Sequence, residues 1–187
     1  MSAPSQIPDL VARSLDLARQ RGFITSTRHE TGRLLAALAA SREGTLAELG
    51  TGTGVGSAWL SSGAPKAARI VSAELDPSLA GDVQKIFADV DNVEIVAGDW
   101  STLEQYAPFS LLFVDVREVM EQIDVLADLM QPGGIVVLDD FVPSVHWPPI
   151  VDGQVDVVRE QWLTDDRFAA VELLIDEGAS LVIATRR

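Results

Sequence analysis

Apolar and polar positions alternate with two different periods along this chain, and these periods predict both strands and helices. Short, mostly apolar runs predict buried strands, and apolar positions spaced three and four residues apart predict helices between them. The predicted strands cover residues 45–49, 69–74, 93–97, 109–115, 135–139, 168–175 and 180–185. The predicted helices cover residues 7–21, 26–41, 54–62, 77–89, 119–130 and 155–163.

Turn-forming residues mark the ends of several of these elements. Gly22 is suited to end the first helix, and Ser26 or Thr27 to cap the second. The tripeptide DEG at 176–178 joins the last two strands as a hairpin would. Because strands alternate with helices until that hairpin, we expect one three-layer α/β domain over residues 1–187, with two helices before the sheet.

Composition and charge limit the kinds of molecule that this protein is expected to bind and the chemistry it can use. The chain of 187 residues carries a net charge of −14, and its 14 Lys and Arg residues are scattered rather than clustered. Nucleic acids and anionic membranes need clustered cations, so we expect neither as a partner. There is no cysteine, which excludes disulfides and thiolate chemistry. We see no signal peptide and no apolar run long enough to span a bilayer, so we expect a cytoplasmic protein.

The stretch LAELGTGTGVGS at 46–57 predicts a strand, a glycine-rich turn and a helix, which together form a nucleotide-type site. The spacing does not fit the dinucleotide pattern Gly-x-Gly-x-x-Gly, because the sixth position is Val55 or Ser57. No Lys-Ser or Lys-Thr pair follows the loop, which also excludes the phosphate-binding P-loop pattern.

Two acidic residues flank this loop and indicate its ligand. Glu48, at the end of the first strand, would repel a pyrophosphate and suits an ammonium group instead. Glu74 ends the second strand, where doubly wound folds hold ribose hydroxyls. A ligand with a ribose, a positive charge and no phosphate is required, and S-adenosylmethionine (SAM) meets all three conditions.

Five motifs in order, LAELGTGTGVGS, VSAELDP, VAGDW, LLFVDV and QPGGIVVLDD, resemble those of class I SAM-dependent methyltransferases. The resemblance covers roughly residues 45–140 and implies a doubly wound, Rossmann-like fold. Its seven-stranded, mostly parallel sheet has the order 3-2-1-4-5-7-6 and an antiparallel last strand. It also implies an N-terminal helical cap (1–43), a cofactor-binding core (44–140) and a substrate loop, helix and hairpin (141–187). The cofactor-binding residues it implies are Thr25, Glu48, Gly50, Thr51, Gly52, Gly54, Ser57, Glu74, Leu75, Gly98, Asp99, Trp100 and Asp115.

Within this class the chain resembles small bacterial O-methyltransferases related to catechol O-methyltransferase, and the segment GFITSTRHETGRLLAAL at 22–38 resembles their pre-sheet segment. Their metal site implies Asp115 and Asp140 as ligands for Mg²⁺ or Ca²⁺, but Phe141 stands where the family has Asn. Asp139 is expected to point to the opposite face of the strand. The alternative is that Asp115 contacts cofactor or acceptor directly, without a metal.

The acceptor and the catalytic base are less clearly indicated. Asp115 and His146 are the candidate catalytic residues, with His146 in the loop after strand five as the candidate base, and Trp147 is a candidate wall of an aromatic pocket. Each is also compatible with an ordinary loop role. We therefore expect O-methylation of a small hydroxylated molecule. A non-catalytic SAM-binding or homodimeric module is the alternative, and an NAD-dependent oxidoreductase is less compatible with the glycine spacing.

Overall fold

The computed structural model describes residues 6–23 and 26–187 and contains a seven-stranded sheet with helices on both faces. The nine described strands are β1 Thr45–Leu49, β2 Arg69–Glu74, β3 Val93–Ala97, β4 Phe109–Val114, β5 Met130–Phe141, β6 Ile150–Val151, β7 Gln154–Val155, β8 Phe168–Asp176 and β9 Ala179–Arg186. The described α-helices are α1 Asp9–Arg21, α2 His29–Ala39, α3 Val55–Gly63, α4 Pro77–Ile86, α5 Arg117–Met120, α6 Ile123–Leu129 and α7 Val157–Thr164.

The sheet has the order β3-β2-β1-β4-β5-β9-β8. Strands β1 to β5 are parallel to one another, and β9 pairs antiparallel with both β5 and β8. Since β8 and β9 are the sixth and seventh strands of this sheet, the predicted order 3-2-1-4-5-7-6 is confirmed. The short strands β6 and β7 form a separate hairpin that the sequence pattern did not predict.

Strand β4 shows why the central strands are nearly all apolar. Leu111 and Phe113 enter the core under α1, α2 and α3, whereas Leu112 and Val114 enter the core on the other face of the sheet. All four are fully buried, as expected for a parallel strand covered on both faces.

The N-terminal helices pack against the glycine-rich turn and the helix that follows it. Gly22 adopts a left-handed conformation and ends α1, as predicted. Ser14 of α1 donates a hydrogen bond from Oγ to the carbonyl oxygen of Gly54 at 3.2 Å. A Cβ at Gly32 of α2 would lie 2.1 Å from the indole of Trp59, so only glycine permits this helix crossing. These contacts hold α1 against the glycine-rich turn and α2 against α3.

Several predicted boundaries are wrong for local reasons. The helix predicted at 119–130 is two short helices, α5 and α6, and β5 already begins at Met130. The second helix begins at His29 with Arg28 as its N-cap, not at Ser26 or Thr27. Residues Trp100–Tyr106 form a 3₁₀-helix, whose first turn is capped by Asp99.

None of the helices formed by residues 6–23 and 26–187 is long and apolar enough to cross a membrane.

Candidate active site

The glycine-rich turn connects β1 to α3 through three residues with positive φ. Gly50, Gly52 and Gly54 have φ angles of 95°, 53° and 85°, a region that side-chain-bearing residues rarely adopt. The amides of Gly50 and Thr51 both donate to the carbonyl oxygen of Ala73, at 3.2 and 3.0 Å. These two hydrogen bonds hold the turn against β2. The backbone of the turn faces the carboxyl ends of the parallel strands.

Glu48 lies behind this turn, where two serine hydroxyls contact its carboxylate. Its carboxylate accepts hydrogen bonds from the hydroxyl of Ser57 and, at 2.8 Å, from that of Ser72. The side chain is 1% exposed, and burial raises the pKa of Glu48 to about 7. A Cβ at Gly56 would lie 1.9 Å from Glu48 Oε1, so the carboxylate fills the space that a residue other than glycine would need.

A cavity of about 520 Å³ opens beside the turn, at the carboxyl ends of the parallel strands. It lies where β1 and β4 are neighbours and the strand order reverses, the usual ligand site of doubly wound sheets. Its walls come from the α1–α2 connection, the glycine-rich turn and the ends of β2, β4 and β5: Phe23, Ser26, Thr27, Arg28, Gly50, Thr51, Gly52, Thr53, Val55, Glu74, Asp115, Val116, Asp139 and Asp140. We call this the cofactor cavity.

Glu74 is fixed at the edge of the cofactor cavity by two backbone amides. Gly52 donates to Oε2 at 2.8 Å, and Asp76 donates to Oε1 at 2.9 Å. Each carboxylate oxygen retains a free lone pair, because a carboxylate accepts about four hydrogen bonds. The side chain is therefore oriented before any ligand binds.

A second cavity, of about 570 Å³, adjoins the first and shares three carboxylates with it. Its remaining walls are mostly apolar, and we call it the acceptor cavity. They are Arg117, Met120, Phe141, Val142, Val151, Gln154, Val155, Asp156, Val157 and Val158. The unpredicted hairpin of β6 and β7 supplies one side.

The three shared carboxylates belong to Asp115, Asp139 and Asp140. Burial, together with the charges of Asp139 and Asp140, raises the pKa of Asp115 to about 8. Burial also raises the pKa of Asp139, which accepts a hydrogen bond from Thr31 Oγ1 at 3.4 Å. Asp140 is instead half-exposed and accepts from Arg28 Nη1 at 2.5 Å.

The expectation that Asp139 points away from Asp140 is wrong. It assumed a regular strand, but Asp140 has a φ of 62°, and the pairing of β5 with β9 shifts register between Leu138 and Phe141. This irregularity breaks the alternation of side chains, so both aspartates line the two cavities.

A buried ion-pair network supports the far wall of the acceptor cavity. Arg159 is fully buried and donates to Asp156 and Glu172 and, at 2.7 Å, to the carbonyl oxygen of Val142. Arg117 also pairs with Asp156. The network fixes the start of α7 beside the cavity, and the sequence pattern gave no signal for it.

Other predicted residues lie outside the walls of the two cavities, and their roles stay predictions. They are Glu48, Gly54, Ser57, Leu75, Gly98, Asp99, Trp100, His146 and Trp147. His146 and Trp147 are exposed in the loop after β5, and Leu75 is 74% exposed. Thr25 lies outside the described residues.

Eight of the fourteen wall residues of the cofactor cavity were not among the predicted site residues, and four of these eight have contacts or burial that bear on the site. Phe23 lies over Gly52, Arg28 pairs with Asp140, and Asp139 joins Asp115. Thr53 is 2% exposed and lines the cavity, and its hydroxyl has no hydrogen-bond partner among residues 6–23 and 26–187. Its place in the glycine-rich motif was the one available signal.

The acidic side chains of the two cavities are not arranged as a metal-binding site. Within residues 6–23 and 26–187 there is no group of three or more His, Asp or Glu side chains arranged around a common point. Asp140, one of the two predicted ligands, is turned toward the guanidinium of Arg28.

The glycine-rich turn at the switch point, the acid at the end of β2 and the antiparallel last strand together define the class I methyltransferase fold. The model of the family described as a methyltransferase domain matches residues 47–141, just over half of the chain, and the chain therefore belongs to this family. No curated protein matches the sequence.

Solved structures similar to this chain include several methyltransferases. The O-methyltransferase from Bacillus cereus in complex with SAH is 19% identical, with a TM-score of 0.80 over 98% of this chain and 93% of that one. TomG from Streptomyces achromogenes, an O-methyltransferase involved in tomaymycin synthesis and solved with SAM, is 22% identical, with a TM-score of 0.76 over 97% and 91%. A methyltransferase from Geobacter sulfurreducens is 21% identical, with a TM-score of 0.77 over 98% and 90%. At these identities the likenesses establish the fold.

Proposed function

We propose that this protein is a SAM-dependent O-methyltransferase acting on a small hydroxylated molecule. The observation that carries the proposal is the pair of adjoining cavities, which meet at Asp115, Asp139 and Asp140. One cavity has the polar walls and glycine-rich turn of a cofactor site, and the other has mostly apolar walls. The SAM or SAH bound to similar structures supports the choice of cofactor.

The cofactor cavity suits the three parts of SAM. Glu74, oriented by two amides, is placed to accept hydrogen bonds from ribose hydroxyls. The carboxylates of Asp115 and Asp139 are placed to attract the positive charges of the ammonium and the sulfonium. The hydroxyl of Thr53, which has no partner in the part of the chain that the structure describes, offers a further hydrogen bond to the same ligand. Asp99 and Trp100, on the neighbouring strand end, stay our candidates for contacts with adenine.

The acceptor cavity positions a hydroxyl group beside the carboxylates. Bound SAM supplies a methyl group on a positively charged sulfur, which is already a good electrophile. The chain has to align the acceptor oxygen with that methyl group and accept the hydroxyl proton. Asp115, with a pKa near neutrality, suits this second task when it is ionised, and it lies between the two cavities. In the balanced step the C–S bond breaks, a C–O bond forms and the proton passes to the carboxylate.

His146 is a weaker candidate for this base than Asp115. It is exposed and lies outside the walls of both cavities, so a loop movement would have to precede its action. A divalent cation is not needed for this proposal, because Arg28 already pairs with Asp140.

Calorimetry with SAM, SAH and NAD tests the choice of cofactor. We expect SAM and SAH to bind and NAD to leave no signal. Glu74→Gln should weaken SAM binding by about tenfold, equivalent to about 1.4 kcal/mol. Glu94→Gln, an exposed acid on β3 outside both cavity walls, is the matched control. Tight binding of NAD in place of SAM would refute the proposal.

A methyl-transfer assay with tritiated SAM and a library of small hydroxylated compounds tests the reaction. We expect transfer to hydroxyl oxygen, with loss of activity in Asp115→Asn while SAM still binds. Transfer to amines alone would contradict the O-specific part of the proposal. Binding of SAM with no turnover on any acceptor would favour the non-catalytic module instead.

A further inference from the structure

Arg28 brings a guanidinium group to the place where the two cavities meet. It is the N-cap residue of α2, and its Nη1 donates to Asp140 Oδ1 at 2.5 Å. Its Nε lies 3.7 Å from Asp176 Oδ2, at the end of β8. The side chain of Arg28 thus links the start of α2 to the ends of β5 and β8, on the far side of the cofactor cavity.

The backbone of Asp140 is shaped for this ion pair. Its φ of 62° is an uncommon conformation for a residue other than glycine, although Asp and Asn adopt it more readily than most. The carboxylate of Asp139 accepts instead from Thr31, so the two neighbouring aspartates have different partners. The carboxylate of Asp140 therefore contacts the guanidinium of Arg28. It does not surround a shared position together with Asp115 and Asp139.

Three carboxyl groups lie at one junction, where like charges at short range repel and a nearby positive charge reduces that repulsion. Arg28 lies among the walls of the cofactor cavity together with all three of them. Its guanidinium is paired with Asp140, and Asp115 and Asp139 line the same cavity. A guanidinium stays charged at every pH at which the protein is folded, so this compensation is permanent.

We infer that the guanidinium of Arg28 supplies the positive charge where the two cavities meet. Its ion pair with Asp140 prevents Asp115, Asp139 and Asp140 from binding a divalent cation together. This goes against the metal site that the family resemblance implies. If the proposed function also holds, the acceptor hydroxyl meets the carboxylate of Asp115 directly and is not held by chelation to a metal. An acceptor would then need one hydroxyl group, with no second oxygen beside it.

Titration of the cofactor-free protein with Mn²⁺, followed by electron paramagnetic resonance, tests the inference. The wild-type chain should show no stoichiometric site. Arg28→Met should gain one, because Asp140 is then free to join Asp115 and Asp139 around an ion. Arg28→Lys keeps the positive charge and should exclude Mn²⁺ as the wild type does. Asp140→Asn added to Arg28→Met should remove the gained site.

Arg19→Met is the matched control, since Arg19 is also paired with an aspartate but lies exposed near the end of α1. It should behave as the wild type does, and thermal unfolding of each variant confirms that it is folded. Stoichiometric Mn²⁺ binding by the wild type would overturn the inference. So would a folded Arg28→Met variant that binds no Mn²⁺.

The outcome is independent of the test of function. Mn²⁺ binding is measured without SAM or acceptor, so failure of SAM binding would refute the proposed function and leave the assignment of Arg28 standing. Conversely, a wild type that binds both SAM and Mn²⁺ would refute only the assignment of Arg28.

Discussion

Binding of SAM should release a proton from Asp115. This carboxyl group is buried at the junction of the two cavities, and burial with two neighbouring aspartates raises its pKa to about 8. At pH 7 about nine-tenths of the molecules therefore carry the proton. The ligand carries an ammonium and a sulfonium against one carboxylate, so its net charge is positive, and a nearby positive charge favours the ionised form of Asp115. Binding of SAM therefore leaves Asp115 ionised, which is the form of the base that the proposed reaction requires.

The magnitude follows from linkage between binding and protonation. If the bound pKa of Asp115 falls well below neutrality, about 0.9 proton is released per SAM at pH 7. Below the free pKa, SAM affinity should then rise with pH by up to about tenfold per unit. SAM affinity rises with pH and does not fall, because the free protein holds the proton on Asp115 and the complex does not. SAH has no sulfonium charge, so it should release fewer protons and show a weaker pH dependence.

Isothermal titration calorimetry in buffers of different ionisation enthalpy measures the released protons directly. Asp115→Asn should lose most of the release while retaining the cavity. Glu48 also has a raised pKa, of about 7, but lies behind the glycine-rich turn with Ser57 and Ser72. Glu48→Gln should therefore change the release much less. An unchanged release in Asp115→Asn, or equal values for SAM and SAH, would refute the reasoning.

Two further predictions concern stability and are checked by chemical denaturation. Gly32→Ala should destabilise the fold by about 2 kcal/mol, because its methyl group would overlap Trp59, which lies 2.1 Å away. Gly81→Ala, in α4 with open space around it, should instead stabilise by about 0.5–1 kcal/mol, and a loss at both sites would contradict this account. Arg159→Met should cost about 3–5 kcal/mol, because Asp156 loses its buried partner, and a loss below about 1 kcal/mol would show that Arg117 compensates alone.

The glycine-rich turn was predictable because its information is local. A strand, a turn of residues with positive φ and a helix are encoded by adjacent residues, and the observed φ angles of Gly50, Gly52 and Gly54 match that expectation. The place of Glu74 was predictable for a related reason. The end of β2 follows from the strand pattern, and the parallel order of the sheet brings that end beside the turn.

The orientation of Glu48 was not predictable in the same way. The sequence places it at the end of β1 but leaves open which side of the turn its carboxylate occupies. Ser72 lies on the neighbouring strand, and Gly56 leaves the space that the carboxylate fills. The packing of β2 and α3 therefore decides that Glu48 supports the turn from behind.

The sequence by itself determined which segments form strands and helices, the glycine-rich turn and the acids at the strand ends, because hydrophobic period and glycine spacing act over neighbouring residues. The order of the strands in the sheet was implied by the resemblance to class I methyltransferases. Only the tertiary structure decided how Asp115, Asp139, Asp140 and Arg28 share the junction. The irregular end of β5 reverses the expected alternation, and Arg28 meets Asp140 across 112 positions of the chain. Contacts of that separation depend on how helices and strands pack, and no local pattern records them.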